Sequence, residues 1–262
     1  MKTNFILTPF FLDQPLQGLS TLAEAGWVVN DPQLPDGNPQ LRMGTLYKPL
    51  AEFIASSAGS GDIPVSIAGD CCSSIGLLAG LQQIGLTPTL IWFDAHGDFN
   101  TWETTPSGFL GGMPLAMLVG RGEQTMMDLV GAKPMPEGMV ILSDGRDLDP
   151  GESEAVTSSN IHHLKNAGDL LNYELPPGPI WIHFDTDILD ASEAPAMNYP
   201  ASHGPGVDDL QQVFTTLADS GQIVAVSMST WNPELDQDGR SREVSMALLA
   251  SLVQLSSRES LQ

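Results

Sequence analysis

The sequence predicts an α/β fold, a mostly parallel sheet with helices packed on its faces. Three observations carry this. Short apolar runs alternate with segments of helical spacing along the chain, the pattern of repeated strand–helix–strand units. Two of the runs, Thr89–Phe93 and Ile180–Phe184, are apolar almost throughout, as parallel strands buried on both faces are. At 262 residues the chain fits one large domain, spanning 1–262, with an ample core.

In chain order, strands are expected at Phe5–Leu7, Trp27–Val29, Val65–Ala68, Thr89–Phe93, Val140–Leu142, Ile161–Leu164, Ile180–Phe184 and Ile223–Ser227. Helices fall between them, with Ser73–Leu81, Asp208–Leu217 and Glu243–Leu255 as the clearest. In the second of these Leu210, Val213, Phe214 and Leu217 recur at helical spacing and define one buried face. Asp31–Pro39 holds three prolines and reads as turns, too early in the chain to divide domains. Two connections are long, Gly97–Gly112 and Asp187–Gly206. Long loops in compact domains are often functional, and these are expected to wall a pocket.

Acidic residues outnumber basic ones by 32 to 10, for a net charge of −22. Such a surface repels nucleic acid and anionic membranes, so neither is an expected partner. The two cysteines, Cys71 and Cys72, are neighbours and cannot build a disulfide framework within the chain. The opening residues lack a long apolar region and a cleavage site, and no run reaches transmembrane length. A cytoplasmic location is expected.

Both uniformly apolar strands end in aspartates. Thr89–Phe93 leads into Asp94-Ala95-His96-Gly97-Asp98, and Ile180–Phe184 leads into Asp185-Thr186-Asp187. In an open parallel sheet, ligands bind beyond the carboxyl ends of the strands. Four carboxylates and an imidazole would meet there. That much negative charge needs cations, and oxygen ligands with one imidazole suit manganese, iron or zinc. An isolated Asp-x-Asp pair would instead be capping or loop solvation; here the ligand types recur at two strand ends.

Further stretches extend the pattern: Asn100-Thr101-Trp102-Glu103-Thr104-Thr105-Pro106-Ser107-Gly108, then Gly112-Met113-Pro114, then Gly145-Arg146-Asp147-Leu148-Asp149-Pro150-Gly151-Glu152. With the aspartate clusters, these resemble the signature of the ureohydrolase family, which includes arginases, agmatinases and formiminoglutamases. The likeness runs from about Val65 to Pro233; the first sixty residues carry none of it. It implies a three-layer α/β/α sandwich on an eight-stranded, mostly parallel sheet, like that of the related deacetylases. It also implies a binuclear Mn(2+) centre, hydrolysis of a guanidino or amidino C–N bond in a small molecule, and a homo-oligomer.

By the family pattern Asp94 and Asp185 bridge two metals, Asp98 completes the first site, and His96 and Asp187 complete the second. The first site's histidine is here Cys71, in Gly69-Asp70-Cys71-Cys72. Cys71 is either a small buried residue at a tight turn or a thiolate ligand, which would favour zinc or iron over manganese. The chain also resembles family members that hydrolyse N-hydroxyarginine in cycloserine biosynthesis, which carry cysteine there too. If Cys71 holds no metal, a single-metal site of His96, Asp94, Asp185 and Asp187 remains.

Asn100 and Ser107 match positions that hold a substrate α-carboxylate, and Asp149 matches one that holds the α-amino group. Loop hydrogen bonding and helix N-terminal stabilisation are the alternatives. The family's proton-shuttle histidine is replaced by Gly111, its guanidinium-binding glutamate by Thr230, and a pocket asparagine by Phe109. The expected substrate is therefore hydroxyarginine-like rather than arginine. Asp98 is the expected group that orients the attacking water and later protonates the leaving amine. His203, on the second long loop, either replaces the shuttle or is an exposed loop histidine. His183 is expected in the core, and His162 and His163 on an edge strand. Trp102, Trp181 and Trp231 either line the pocket or pack, and no motif supports Cys72 as a nucleophile. A single-metal, deacetylase-like amidohydrolase and a non-catalytic homologue are the rival readings.

Overall fold

The structure, a computed structural model, describes residues 2–253. β1 (Thr3–Thr8) enters the main sheet, and a short antiparallel ribbon, β2 (Phe10–Phe11) with β3 (Gln14–Pro15), stands beside it. β4 (Val28–Val29) comes next. α1 (Pro39–Gly59) is a 21-residue helix. The Asn38 side chain accepts from Leu41 N at its start, and Pro39 occupies the first turn, where no N–H is needed. β5 (Ile63–Ala68), α2 (Ser74–Gln83) and β6 (Thr89–Asp94) succeed it. The short helices α3 (Pro114–Leu118) and α4 (Thr125–Val130) precede β7 (Val140–Asp144), α5 (Pro150–Thr157) and β8 (His162–Leu164). The chain closes through β9 (Ile180–Asp185), α6 (Val207–Asp219), β10 (Ile223–Ser229) and α7 (Arg240–Leu252).

The eight-stranded sheet has the order β4-β1-β5-β10-β9-β6-β7-β8, with every pair parallel. Successive residues of a strand point to opposite faces, so β6 splits between two cores. Leu90 and Trp92 join a cluster with α1 and α2; Ile91 and Phe93 join one with α6 and α7. These are the three layers of an α/β/α sandwich. Among the described residues no helix is long and apolar enough to cross a membrane.

The observed strands contain or nearly match the expected ones. Two features differ. The expectation of turns up to Pro39 stops short of α1, whose interior Pro49 interrupts a helical reading. The last helix starts at Arg240 rather than Glu243, and the final two expected residues, 254–255, lie outside the described residues.

Candidate metal centre

Sheet order assembles the site. β5, β10, β9 and β6 are consecutive neighbours, so the segments leaving their carboxyl ends lie side by side. Phe93 pairs with Phe184, which sets Asp94 beside Asp185; Ser229 pairs with Asp185 in turn. Cys71 sits just past β5 in a tight turn. Gly69 is needed there: a Cβ on it would lie 2.4 Å from Phe10 O. Its N–H donates to that carbonyl at 3.0 Å, while Asp70 accepts from Cys72 N at 2.9 Å and from Leu12 N at 2.7 Å. This turn therefore ties the β2–β3 ribbon to the site.

The Cys71 thiol donates to Asp185 Oδ2 at 2.8 Å and lies 3.0 Å from Ser229 Oγ. Thr230 Oγ1 donates to the other oxygen of Asp185. His96 Nδ1 lies 3.2 Å from Asp187 Oδ2 and 3.4 Å from Asp94 Oδ1. Asp94 Oδ2 accepts from Trp92 Nε1 at 2.9 Å, and Asp187 N donates to Asp185 Oδ1 at 2.8 Å. Two groups of donor atoms, Cys71/Asp94/Asp98 and Asp94/His96/Asp187, each fall within 4.8 Å and share Asp94. Cys71, His183 and Asp185 form a third such group.

The electrostatics call for a cation. Asp94, Asp98, Asp185 and Asp187 are all buried. Burial, then Asp187 and Asp94, push Asp185 well above the carboxylate range; burial and Asp94 push Asp98 up and Asp187 to about 6. Burial opposes a charge on His96, but Asp187 and Asp94 outweigh it and hold the imidazolium far above its ordinary range. Burial, then Asp185, push the Cys71 thiol up. Asp98 Oδ2 is buried without a hydrogen-bond partner, and among the described residues no lysine or arginine lines the cavity. Buried carboxylates of this kind are costly unless paired or ligating. The donor set, carboxylates with an imidazole and a thiol, fits a transition metal.

Above this floor opens a cavity of about 260 Å3. Cys71, His96, Asp98, Asn100, Ser107, Asp149, Asp185, Asp187 and Thr230 line it, and Asp94 lies just beneath. Asn100 Nδ2 donates to Asp149 Oδ2 at 3.0 Å, and Asp149 also caps α5 in a reciprocal capping box with Glu152. Ser107 Oγ accepts from Phe109 N at 3.2 Å.

His203 is not brought to this cavity; it lines neighbouring hollows with Arg146. The cause is Arg146, which donates to Ser202 O and Ala201 O, together with Asp190, which accepts from His203 N at 2.8 Å. These bonds hold that part of the loop, where His203 is exposed, as in the second of its two sequence readings. None of the three tryptophans lines the cavity either. Trp102 is exposed and donates to Glu123; Trp181 and Trp231 are buried and donate to Ser227 and Asp236. His183 is fully buried, stacked on Trp92 at 3.6 Å, and burial pushes it down to about 3. His163, on the edge strand as expected, lies 2.8 Å from Asp144 O, and Cys72 packs in the core. Residues missed by sequence reasoning are Phe11, Tyr199 and Glu152. The capping box Asp149-Pro150-Gly151-Glu152 was a readable signal for Glu152; Phe11 and Tyr199 carry none.

The Arginase family profile matches residues 22–254. This chain belongs to the arginase family. It is 31% identical over 217 residues to the arginase of Bacillus subtilis (strain 168), covering 78% of this chain and 73% of that one. With the arginase of Bacillus caldovelox it shares 32% over 218 residues, covering 78% and 72%. The crystal structure of Bacillus subtilis arginase superposes with a TM-score of 0.82 at 26% identity, over 98% of this chain and 100% of the other. Formimidoylglutamase from Bacillus subtilis shares the fold at a TM-score of 0.72 and 17% identity, over 97% and 87%. Arginase-family enzymes are metal-dependent amidino hydrolases acting on small molecules.

Proposed function

We propose that this chain hydrolyses a guanidino or amidino C–N bond in a small, amino-acid-like molecule that is hydroxyarginine-like rather than arginine. What supports the reading is the pair of donor groups that share the buried Asp94 and whose other members, Cys71, Asp98, His96 and Asp187, all line one cavity. In it Asp94 and Asp185, with Asp98, Cys71, His96 and Asp187, would hold two manganese ions. When bound, the metal supplies Lewis acidity and lowers the pKa of water.

The chain's own groups do the rest. Asp98, with one carboxylate oxygen free of protein partners, orients the attacking water, takes its proton and returns it to the leaving amine. Asn100 and Ser107 hold the substrate's carboxylate by neutral hydrogen bonds, and Asp149 accepts from its ammonium group. Thr230 fixes Asp185 but offers no charge to a guanidinium. Lack of a buried charge partner costs about 3–5 kcal/mol of binding, and each 1.4 kcal/mol is tenfold. A less basic hydroxyguanidine loses far less.

One observation favours a second reading with a single metal. The Cys71 thiol is already hydrogen-bonded to Asp185 and Ser229, while Asp94, His96 and Asp187 form a group without it. Metal analysis of purified protein separates the two: two ions per chain support the first, one the second. Steady-state assays at saturating manganese should give N-hydroxyarginine a kcat/KM above that of arginine. Arginine turnover at or above every less basic analogue would overturn the substrate reading.

A further inference from the structure

We infer that Phe11, Phe109 and Tyr199 form an aromatic binding subsite at the cavity mouth, and that the natural substrate carries an apolar, planar substituent that packs there. This rests on the guanidino or amidino reading for the headgroup and deepens it on the side of the substrate class. The three rings converge from distant parts of the chain. Phe11 and Phe109 stack with centroids 6.2 Å apart and planes at 17°; Phe109 and Tyr199 approach to 5.2 Å. All three line the cavity that ends on Asp98, Asp185 and Asp187.

Each ring is held in place by tertiary contacts of its own segment. Phe11 sits on the β2–β3 ribbon, tied down by Gly69 N to Phe10 O at 3.0 Å. The Tyr199 segment is pinned by Asn232, whose N donates to Ala196 O at 2.9 Å and whose Nδ2 donates to Asn198 Oδ1 at 2.7 Å. Phe109 folds back over Gly111. A Cβ on Gly111 would lie 2.4 Å from both Cε1 and Cζ of that ring, so only glycine admits this ring position. Single exposed apolar residues are ordinary on a protein surface. Tyr199, 51% exposed, is not of that kind, because it joins two other rings at the mouth of a cavity.

Another part of the cavity wall differs in chemistry. It is formed by Asn100, Ser107 and Asp149, all polar. A small arginine-like molecule meets its hydrogen-bonding needs on that wall alone and leaves the aromatic wall uncovered. Ligand pockets combine a few orienting polar groups with aromatic surface that supplies affinity, and ring-on-ring contact adds to the area term. A substrate that uses both walls has its scissile group down on the floor, a polar head on one side and a planar apolar group on the other.

The test uses metal-loaded, full-length protein and two less basic probes that differ by one phenyl ring, N-ethyl-N′-hydroxyguanidine and N-hydroxy-N′-(2-phenylethyl)guanidine, with affinities from calorimetry. The phenyl probe should bind at least about tenfold tighter to the unaltered protein. Tyr199→Ala and Phe11→Ala, both at the mouth rather than in the core, should each cut that ratio to about threefold or less. A wild-type ratio below about threefold, or a ratio unchanged in both variants, would overturn the inference. Binding of neither probe overturns it together with the guanidino reading. A ratio that behaves as expected without turnover of any guanidine or amidine upholds the subsite and refutes only the hydrolytic reading.

Discussion

Replacing Glu152 by alanine should both destabilise the protein and loosen the metal centre. Glu152 is only 3% exposed. Its Oε1 accepts from Phe99 N at 2.8 Å, and its Oε2 accepts from Asp149 N at 3.2 Å. Truncation leaves the buried Phe99 N–H without a partner, which costs about 1–3 kcal/mol. It also removes half of the α5 capping box, worth about 1 kcal/mol. The sum is about 2–4 kcal/mol. At roughly 2–4 °C per kcal/mol for a chain of this size, the melting temperature should fall by about 5–15 °C in calorimetry. Phe99 directly succeeds Asp98, whose φ of 48° lies in the left-handed region that non-glycine residues seldom adopt. The Phe99 N–H bond to Glu152 helps hold that conformation, so manganese affinity should fall as well. Glu152→Gln keeps the shape and one acceptor and should lose much less on both counts. A Glu152→Ala protein that melts within about 2 °C of the original and binds metal equally well would refute this account.

Two further outcomes are expected. Burial pushes Glu152 from its ordinary 4.5 up to about 7. In that window the folded protein keeps a proton that the unfolded chain has released, so stability falls as pH rises through it. Glu152→Gln does not titrate, so in metal-stripped protein its melting temperature relative to the original should climb between pH 5 and pH 8, by about 5–10 °C; a flat difference would mean that the carboxyl is not buried as described. Thr230→Glu should raise kcat/KM for arginine by about tenfold or more relative to N-hydroxyarginine; no change in that ratio would mean that residue 230 does not face the scissile group.

The sheet and the metal floor were legible because their signals are local. An apolar run ending in Asp94, and another ending in Asp185, already state a buried strand and a carboxylate at its carboxyl end. Parallel order then does the assembly, since β6 and β9 are neighbours. The rim was not legible for the opposite reason. Phe11 and Tyr199 reach the mouth only through tertiary ties, Gly69 to Phe10 and Asn232 to Ala196 and Asn198. Nothing in the spacing of Phe10-Phe11-Leu12 or Asn198-Tyr199-Pro200 announces a pocket. The choice between the two readings of His203 was not legible, because its loop is held by Arg146, a residue far away in sequence whose bonds no pattern reveals. α1 was obscured by Pro49, which the helix tolerates because its packing on α2 outweighs the lost bond.

The departures from the family pattern at Cys71, Thr230 and Gly111 also bear on whether this chain is a decayed homologue. A site drifting without selection would accumulate gaps and unpaired groups. Here the substituted residues have specific partners. Cys71 donates to one oxygen of Asp185 and Thr230 to the other, so two of the changes converge on the same carboxylate and fix it from both sides. Thr230 does this from a φ of 73°, a costly conformation for a β-branched residue, and such strain concentrates at functional sites. Gly111 admits the Phe109 ring, which completes the aromatic wall. Meanwhile Asp98 keeps a buried, unpartnered oxygen aimed at the same floor, a group whose cost only a bound cation or a reacting molecule offsets. The shared grip of Cys71 and Thr230 on Asp185 and the fit of Phe109 over Gly111 support the proposed change of specificity over decay.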